Sequence, residues 1–113
     1  MKDFFTGSQF ENEFGEVWNV EEVLAYAKTK PEYYFPNLDV DMIKHDLSYH
    51  QGDMERTSNA DTSFPILVIQ YADGSLTIAD GLNRTYKAIY IEDKTHLPAY
   101  VIPEKSIAHL KTN

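Results

Sequence analysis

The chain contains no cysteine. That excludes disulfides, thiolate zinc sites, iron–sulfur clusters and cysteine nucleophiles. No run of eighteen apolar residues occurs, so no segment reads as a membrane-spanning helix. Residues 1–14 carry one Lys and early acids where a signal peptide needs a basic start and an apolar stretch. The expected compartment is therefore the cytoplasm. Basic side chains are scarce: 10 Lys plus Arg stand against 18 Asp plus Glu, a formal net charge of −8. A field of that sign opposes a phosphate backbone and an anionic lipid surface. Neither nonspecific DNA binding nor membrane association is expected.

What is present is enough apolar material for a core. Of 113 residues, 42% are hydrophobic and 13% aromatic, which fits one domain over 1–113 and argues against wholesale disorder. The charge divides unevenly. Residues 1–63 hold 13 acidic and 5 basic side chains, whereas residues 64–113 hold 5 of each. The acidic half reads either as a solvated, solubilising face or as a surface for a basic protein partner, even an imitation of a nucleic-acid backbone.

The two halves also differ in how strongly they specify structure. Residues 1–17 mix Phe4, Phe5, Phe10 and Phe14 with acids and fit no period, as a docking tail or frayed arm would. Asn19, with Glu22 three residues on, predicts a capped helix carrying Val20, Val23, Leu24 and Ala27 and ended by Pro31. Trp18 precedes the cap as a staple against Val23. Residues 32–39 read as an extended edge segment, with Tyr33-Tyr34-Phe35 read as core aromatics in preference to a recognition patch. Asp39 predicts a second short helix with Val40, Ile43 and Leu47 on one stripe. Residues 50–63 are polar, long and without period, so they read as a loop, solvated or able to swing Glu55 and Arg56 over a ligand.

Residues 64–113 give sharper signals. Ile66-Leu67-Val68-Ile69-Gln70 and Leu76-Thr77-Ile78-Ala79 flank Asp73-Gly74, predicting a hairpin with a two-residue turn. A helix over about 82–93 follows, with Leu82, Tyr86, Ile89 and Tyr90 buried and Ala88 allowing close packing. Residues 97–102 form another strand, which suggests a parallel crossover from the 76–79 strand. A last short helix, Glu104 to Leu110, begins after Pro103. The expected fold class is α+β.

The stretch with chemical content is Asp80-Gly81-Leu82-Asn83-Arg84-Thr85. A strand ends, a glycine turns the chain, and a helix starts within two residues. Unbonded amides and the positive end of a helix dipole then face one place, which suits an anionic oxygen. Arg84 falls in the first helical turn, where a cation is unfavourable for the helix, so it needs another reason to be there. Bidentate phosphate binding is one, and a surface salt bridge is another. Asp80 could orient Arg84, hold a metal ion or accept a proton, or it could be simple turn chemistry.

The order of features from Phe64 to Ile107 resembles the ParB/sulfiredoxin-like superfamily. Asp80-Gly81-Leu82-Asn83-Arg84 looks like its D-G-x-H-R, and Leu97-Pro98-Ala99-Tyr100-Val101-Ile102 looks like its closing strand. The resemblance implies a ParB-like core at 64–107 with a small mixed sheet, preceded by an acidic helical part at 1–63. It also implies a pocket for nucleotide phosphates in which Gly81, Asn83 and Arg84 surround the phosphate, and Thr85 at the end of the same turn is nominated with them as a phosphate-binding residue. A nucleotide or phosphorylated small molecule, carried with Mg2+, is the implied ligand, and Asp80 is the acid nominated for any proton transfer. Two departures limit this. Leu82 stands where sulfiredoxin activity needs cysteine, so that reaction is excluded. Asn83 replaces the usual histidine, so it can donate a hydrogen bond but cannot shuttle protons. The alternative is a small acidic interaction or inhibitor protein without catalysis. His45-Asp46 and His50 with Asp53 match no established metal-site spacing, and no metal ligand is nominated.

Overall fold

The computed structural model describes residues 9–49 and 54–112. Most of the expected aromatic tail, and the pair His50 and Asp53, lie outside the described residues. The chain is an α+β protein, and the described residues form one four-stranded mixed sheet and one small two-stranded sheet. Strands β1 (Gln9–Glu11) and β2 (Val17–Asn19) pair antiparallel, so the segment expected to lack a period contains a short ribbon. Helix α1 (Val20–Lys28) starts as expected, the Asn19 side chain accepting from the Glu22 amide. Then come β3 (Tyr34–Asp39), α2 (Met54–Asn59), β4 (Ile66–Gln70), β5 (Leu76–Asp80), α3 (Leu82–Tyr86) and β6 (His96–Pro103). Short 3-10 turns at 40–42, 44–49 and 104–110 join them.

The strand order of the larger sheet is β3-β6-β4-β5. β6 runs parallel to β4, while β5 is the edge strand antiparallel to β4. The expected parallel partner of β6 is therefore corrected from β5 to β4. The hairpin fixes β5 on one side of β4, and the helical connection carries the chain to the other side, as a parallel pairing requires. The hairpin turn also differs. The Gly74 amide donates to Tyr71 carbonyl, and only Gly74, at φ +88°, is left-handed. This is a type I turn followed by a bulge glycine, not a two-residue turn, which would need Asp73 at positive φ too.

β4 is buried at Ile66, Leu67, Val68 and Ile69 because it lies inside the sheet with both faces covered. Alternation sorts these side chains. Ile66 and Val68 join Leu38, Val40, Ile43, Leu76, Ile78, Ala88, Leu97 and Ala99 on one face. Leu67 and Ile69 join Trp18, Val20, Val23, Ala27, Ile102 and Ile107 on the other. Each face buries its own cluster, and both clusters draw on residues before and after position 64. Trp18 belongs to β2 and shares its cluster with Val23; its Nε1 donates to Ile107 carbonyl at 2.9 Å.

Three further expectations change. The polar 50–63 segment contains α2. Its one buried described side chain is Thr57, whose hydroxyl donates to Asn83 Oδ1 at 3.1 Å, so no apolar period marks it. Tyr90 is exposed rather than buried, because the helix opens into a π turn at Lys87–Ile91, with Glu92 N–H bonding to Lys87 carbonyl. Thr85 and Ala88 form the buried stripe instead. Tyr34 and Phe35 are exposed on the edge strand β3, while Tyr33 packs partly buried with its hydroxyl 3.1 Å from Ser106 Oγ.

Candidate functional site

The β5–α3 turn is built around Gly81. At φ +109° it occupies a left-handed conformation. A Cβ there would lie 2.5 Å from Ile66 Cγ2, so only glycine lets the turn approach β4 this closely. The chain then enters α3, whose first intrahelical bond runs from Thr85 N–H to Gly81 carbonyl. Amides ahead of that bond have no intrahelical acceptor.

Arg84 is engaged by this turn itself. Nη2 donates to Asp80 Oδ2 at 2.8 Å, and Nη1 donates to Pro65 carbonyl at 3.0 Å. The first-turn cation thus ties the end of β5 to the entrance of β4. Asp80 and Arg84 thus form an ion pair within the turn. Thr85 is fully buried, and its hydroxyl donates to Gly81 carbonyl at 2.9 Å, so it stabilises the turn from within.

Around this turn lies a cavity of about 510 Å3. Asp80, Gly81, Asn83 and Arg84 all line it, and Thr85 does not. The wall also includes Gln9, Ala60, Asp61, Phe64, Ala79 and Leu82. Sequence reading missed Asp61 and Phe64 as site residues. The signal available was the Asp61-Thr62-Ser63 turn just before β4. Asp61 Oδ1 accepts from the Ser63 amide at 3.0 Å and the Ser63 hydroxyl at 2.6 Å. Those two bonds hold the Asp61 carboxyl below its ordinary value, so it is ionised at neutral pH.

The segment after α2 is fastened against the helix. Lys87 Nζ donates to the carbonyls of Ser58 and Ala60, both at 2.8 Å, a cation at the end of a helix. Thr62 donates to Glu92 Oε1 at 2.7 Å, and Lys94 donates to Thr62 Oγ1 at 3.0 Å. The Thr62 bond first, then Lys94, holds Glu92 below the usual carboxylate range. The cavity wall at Ala60 and Asp61 is thus fixed by side chains from the helix it faces.

The histidine candidates separate. His45 Nε2 lies 3.0 Å from Leu76 carbonyl, and Asp46 Oδ2 accepts from Ile78 N–H at 2.6 Å. Together they cover the open edge of β5 as a neighbouring strand would. His109 packs edge-on against Tyr26, and His96 contacts Thr95. Among the described residues no group of three or more His, Cys, Asp or Glu side chains could hold a metal ion. No helix among them is long and apolar enough to cross a membrane.

Compared with known families, residues 35–60 match the CUE domain. Searches of curated proteins and of solved structures return no match. The matched segment is less than a quarter of the 113 residues. It runs from β3 through the 3-10 turns to α2, and it supplies Leu38, Val40 and Ile43 to the core of the larger sheet. It is a partial similarity and assigns the chain to no family.

Proposed function

We propose that the cavity at the β5–α3 turn binds a phosphorylated ligand, a nucleotide carried with Mg2+. The observation that carries this reading is convergence. Three of the four residues singled out from the sequence for phosphate binding, Gly81, Asn83 and Arg84, line one cavity of about 510 Å3 together with Asp80, the nominated acid, while the fourth, Thr85, lies outside it. That volume lies in the usual range for small-molecule sites, about 300–1,000 Å3. Arg84 is held on two sides, so its guanidinium is pre-positioned for a planar, bidentate contact. The D-G-x-N-R turn and its resemblance to the ParB/sulfiredoxin-like superfamily favour a nucleotide over a simple anion.

Charge refines the proposal. Asp61 and Asp80 set two negative charges on the wall against one from Arg84. A bare triphosphate would meet a net negative surface. A divalent cation arriving with the phosphate, bound through one or two carboxylates and phosphate oxygens, reverses that balance. Asp80 and Asp61 are the residues that would hold it. Asp80 is also the group nominated for any proton transfer, while its resting role is to hold Arg84.

The test is a thermal-shift and calorimetric panel of nucleoside triphosphates and diphosphates, with and without Mg2+. Ligand at a hundredfold Kd adds about 2.7 kcal/mol, a shift of several degrees in a domain of this size. Arg84→Lys keeps the charge but loses the fork, and Ala60→Leu fills the wall without touching the Arg84 bonds. Both should lose the shift while their unliganded melting remains cooperative. No shift with any nucleotide, or a shift unchanged in both variants, overturns the proposal.

A further inference from the structure

A second, larger groove, about 1190 Å3, meets the first cavity at Leu82. Its walls come from β1 and the turn after it, the 3-10 turn at His45-Asp46, the β4–β5 hairpin and Glu104. Its apolar lining is formed by the partly buried Phe10 and Tyr71, with the buried Leu76 and Ile78 beneath. Phe14 stands at its rim 71% exposed, the most exposed large apolar side chain among the described residues.

Phe14 is not on a loose loop. Asn12, nearly buried, accepts from the amides of Phe14 and Glu16 at 3.0 and 2.9 Å. Its own amide group donates to Glu16 and to the Tyr71 hydroxyl. Gly15, at φ +80°, closes the turn. An exposed aromatic on a turn held this way is presented by a pre-ordered backbone, so part of its ordering cost is already met in the unbound chain.

The rim has one sign. Six carboxylates line the groove, those of Glu11, Glu13, Glu16, Asp46, Asp73 and Glu104, and no lysine or arginine lines it. Lys111, which is not part of the wall, pairs with Glu16 and Glu104. Glu11, Glu13 and Asp73 remain exposed around Phe14 and the hairpin tip. This lining repels nucleic acid and anionic lipid. Among the described residues it holds no cluster fit for a metal ion. Its volume exceeds the small-molecule range of about 300–1,000 Å3 and suits a length of polypeptide.

We propose that this groove docks a basic, amphipathic segment of another protein. The segment's apolar side chains pack on Phe14 and on the partly buried Phe10 and Tyr71, and its Lys or Arg side chains meet the carboxylates of the rim. Charge complementarity sets the partner's sign, and the apolar floor sets its amphipathic pattern. The surface draws on both halves of the chain, since Tyr71 to Ile78 and Glu104 belong to the half whose net charge is zero. It does not depend on the nucleotide reading.

The experiment uses the full chain, labelled with 15N, and short fluorescent peptides alternating Arg with Leu, Arg with Ser, or Glu with Leu. The Arg/Leu peptide should bind, more weakly as salt rises, with amide shifts at residues 11–16 and 71–76. Phe14→Ser, and separately the double change Glu11→Gln with Glu13→Gln, should each weaken binding about fivefold or more. These side chains are exposed, so the variants retain the wild-type spectrum elsewhere. Arg/Ser binding equal to Arg/Leu, unchanged affinity in both variants, or shifts confined to other residues overturns the proposal. Saturating nucleotide and Arg84→Lys should leave peptide affinity unchanged, which separates this result from that of the nucleotide panel.

Discussion

Replacing Gly81 by alanine should destabilise the protein well beyond an ordinary glycine substitution. Two costs combine. The backbone at φ +109° and ψ +25° is left-handed, which costs an L residue about 1–2 kcal/mol. The new Cβ would also sit 2.5 Å from Ile66 Cγ2 and 2.9 Å from Ile66 Cβ. Ile66 is fully buried in the central strand, so it cannot swing away. Overpacking of that kind costs about 1–3 kcal/mol. The sum, about 2–5 kcal/mol, is a large part of the roughly 5–15 kcal/mol that holds a domain folded. In urea, at about 1–3 kcal/mol per molar, the midpoint should fall by on the order of 1–3 M. Gly74→Ala supplies the control, because Gly74 has φ +88° but no atom within 4 Å of the new Cβ. Gly74→Ala should show the conformational cost alone. Ile66→Ala in the Gly81→Ala background should cost less than the two single changes added together, since it removes Cγ2, the nearer of the two clashing atoms. If Gly81→Ala and Gly74→Ala agree within about 0.5 kcal/mol, the close approach of the turn to β4 is wrong.

Trp18→Phe should lower stability by about 1–3 kcal/mol in urea melts, because it leaves the buried Ile107 carbonyl without its indole donor; an unchanged midpoint would refute that bond's role. Acid should destabilise the fold through four carboxyls held below their ordinary values: Glu16 by its bonds from Lys111 and then Asn12, Asp61 by Ser63, Asp73 by Ser75, and Glu92 by Thr62 and then Lys94. Each contributes fully above its unfolded value and loses that contribution as pH falls through its lower folded value, so the urea midpoint should hold near neutrality and decline below about pH 4.5. Glu16→Gln should shallow that acid limb, and superimposable limbs in the two proteins would refute the assignment.

The sequence announced those parts of the fold whose cause is local. The Asn19 cap, the Asp39 cap and the β4–β5 hairpin each rest on residues a few positions apart, and each is found where expected. The edge position of β3 followed from Pro36 and a mixed pattern, and it too is found. The differences arise where distant residues decide. The pairing of β6 with β4 depends on which side of the sheet the connection returns to, and no local signal carries that. Helix α2 is polar because its inward side chain is Thr57 bonded to Asn83, so hydrophobic periodicity has nothing to detect. The π turn displaces Tyr90 from the helical stripe, which a 3.6-residue period assumes to be unbroken. At the cavity, Asp80 to Arg84 were legible as one turn, whereas Asp61 and Phe64 reach the same wall only because Lys87, Thr62 and Glu92 fasten their segment to the helix.

That fastening bears on how Arg84 should be interpreted. A cation in the first turn of a helix needs compensation, and Asp80 and the Pro65 carbonyl supply it within the folded chain. The structural role and the proposed binding role therefore sit on the same guanidinium. Two of its donors join β5 to the entrance of β4, and the same side chain lines the cavity. Removing it outright would lower stability and ligand affinity together, and the two losses could not be told apart. Ala60 offers the separation. It lines the same wall without its side chain taking part in the bonds from Arg84 to Asp80 and Pro65. A nucleotide response abolished by Ala60→Leu at unchanged urea midpoint would assign the cavity to ligand. A response that tracks only the stability of Arg84 variants would assign the guanidinium to the turn.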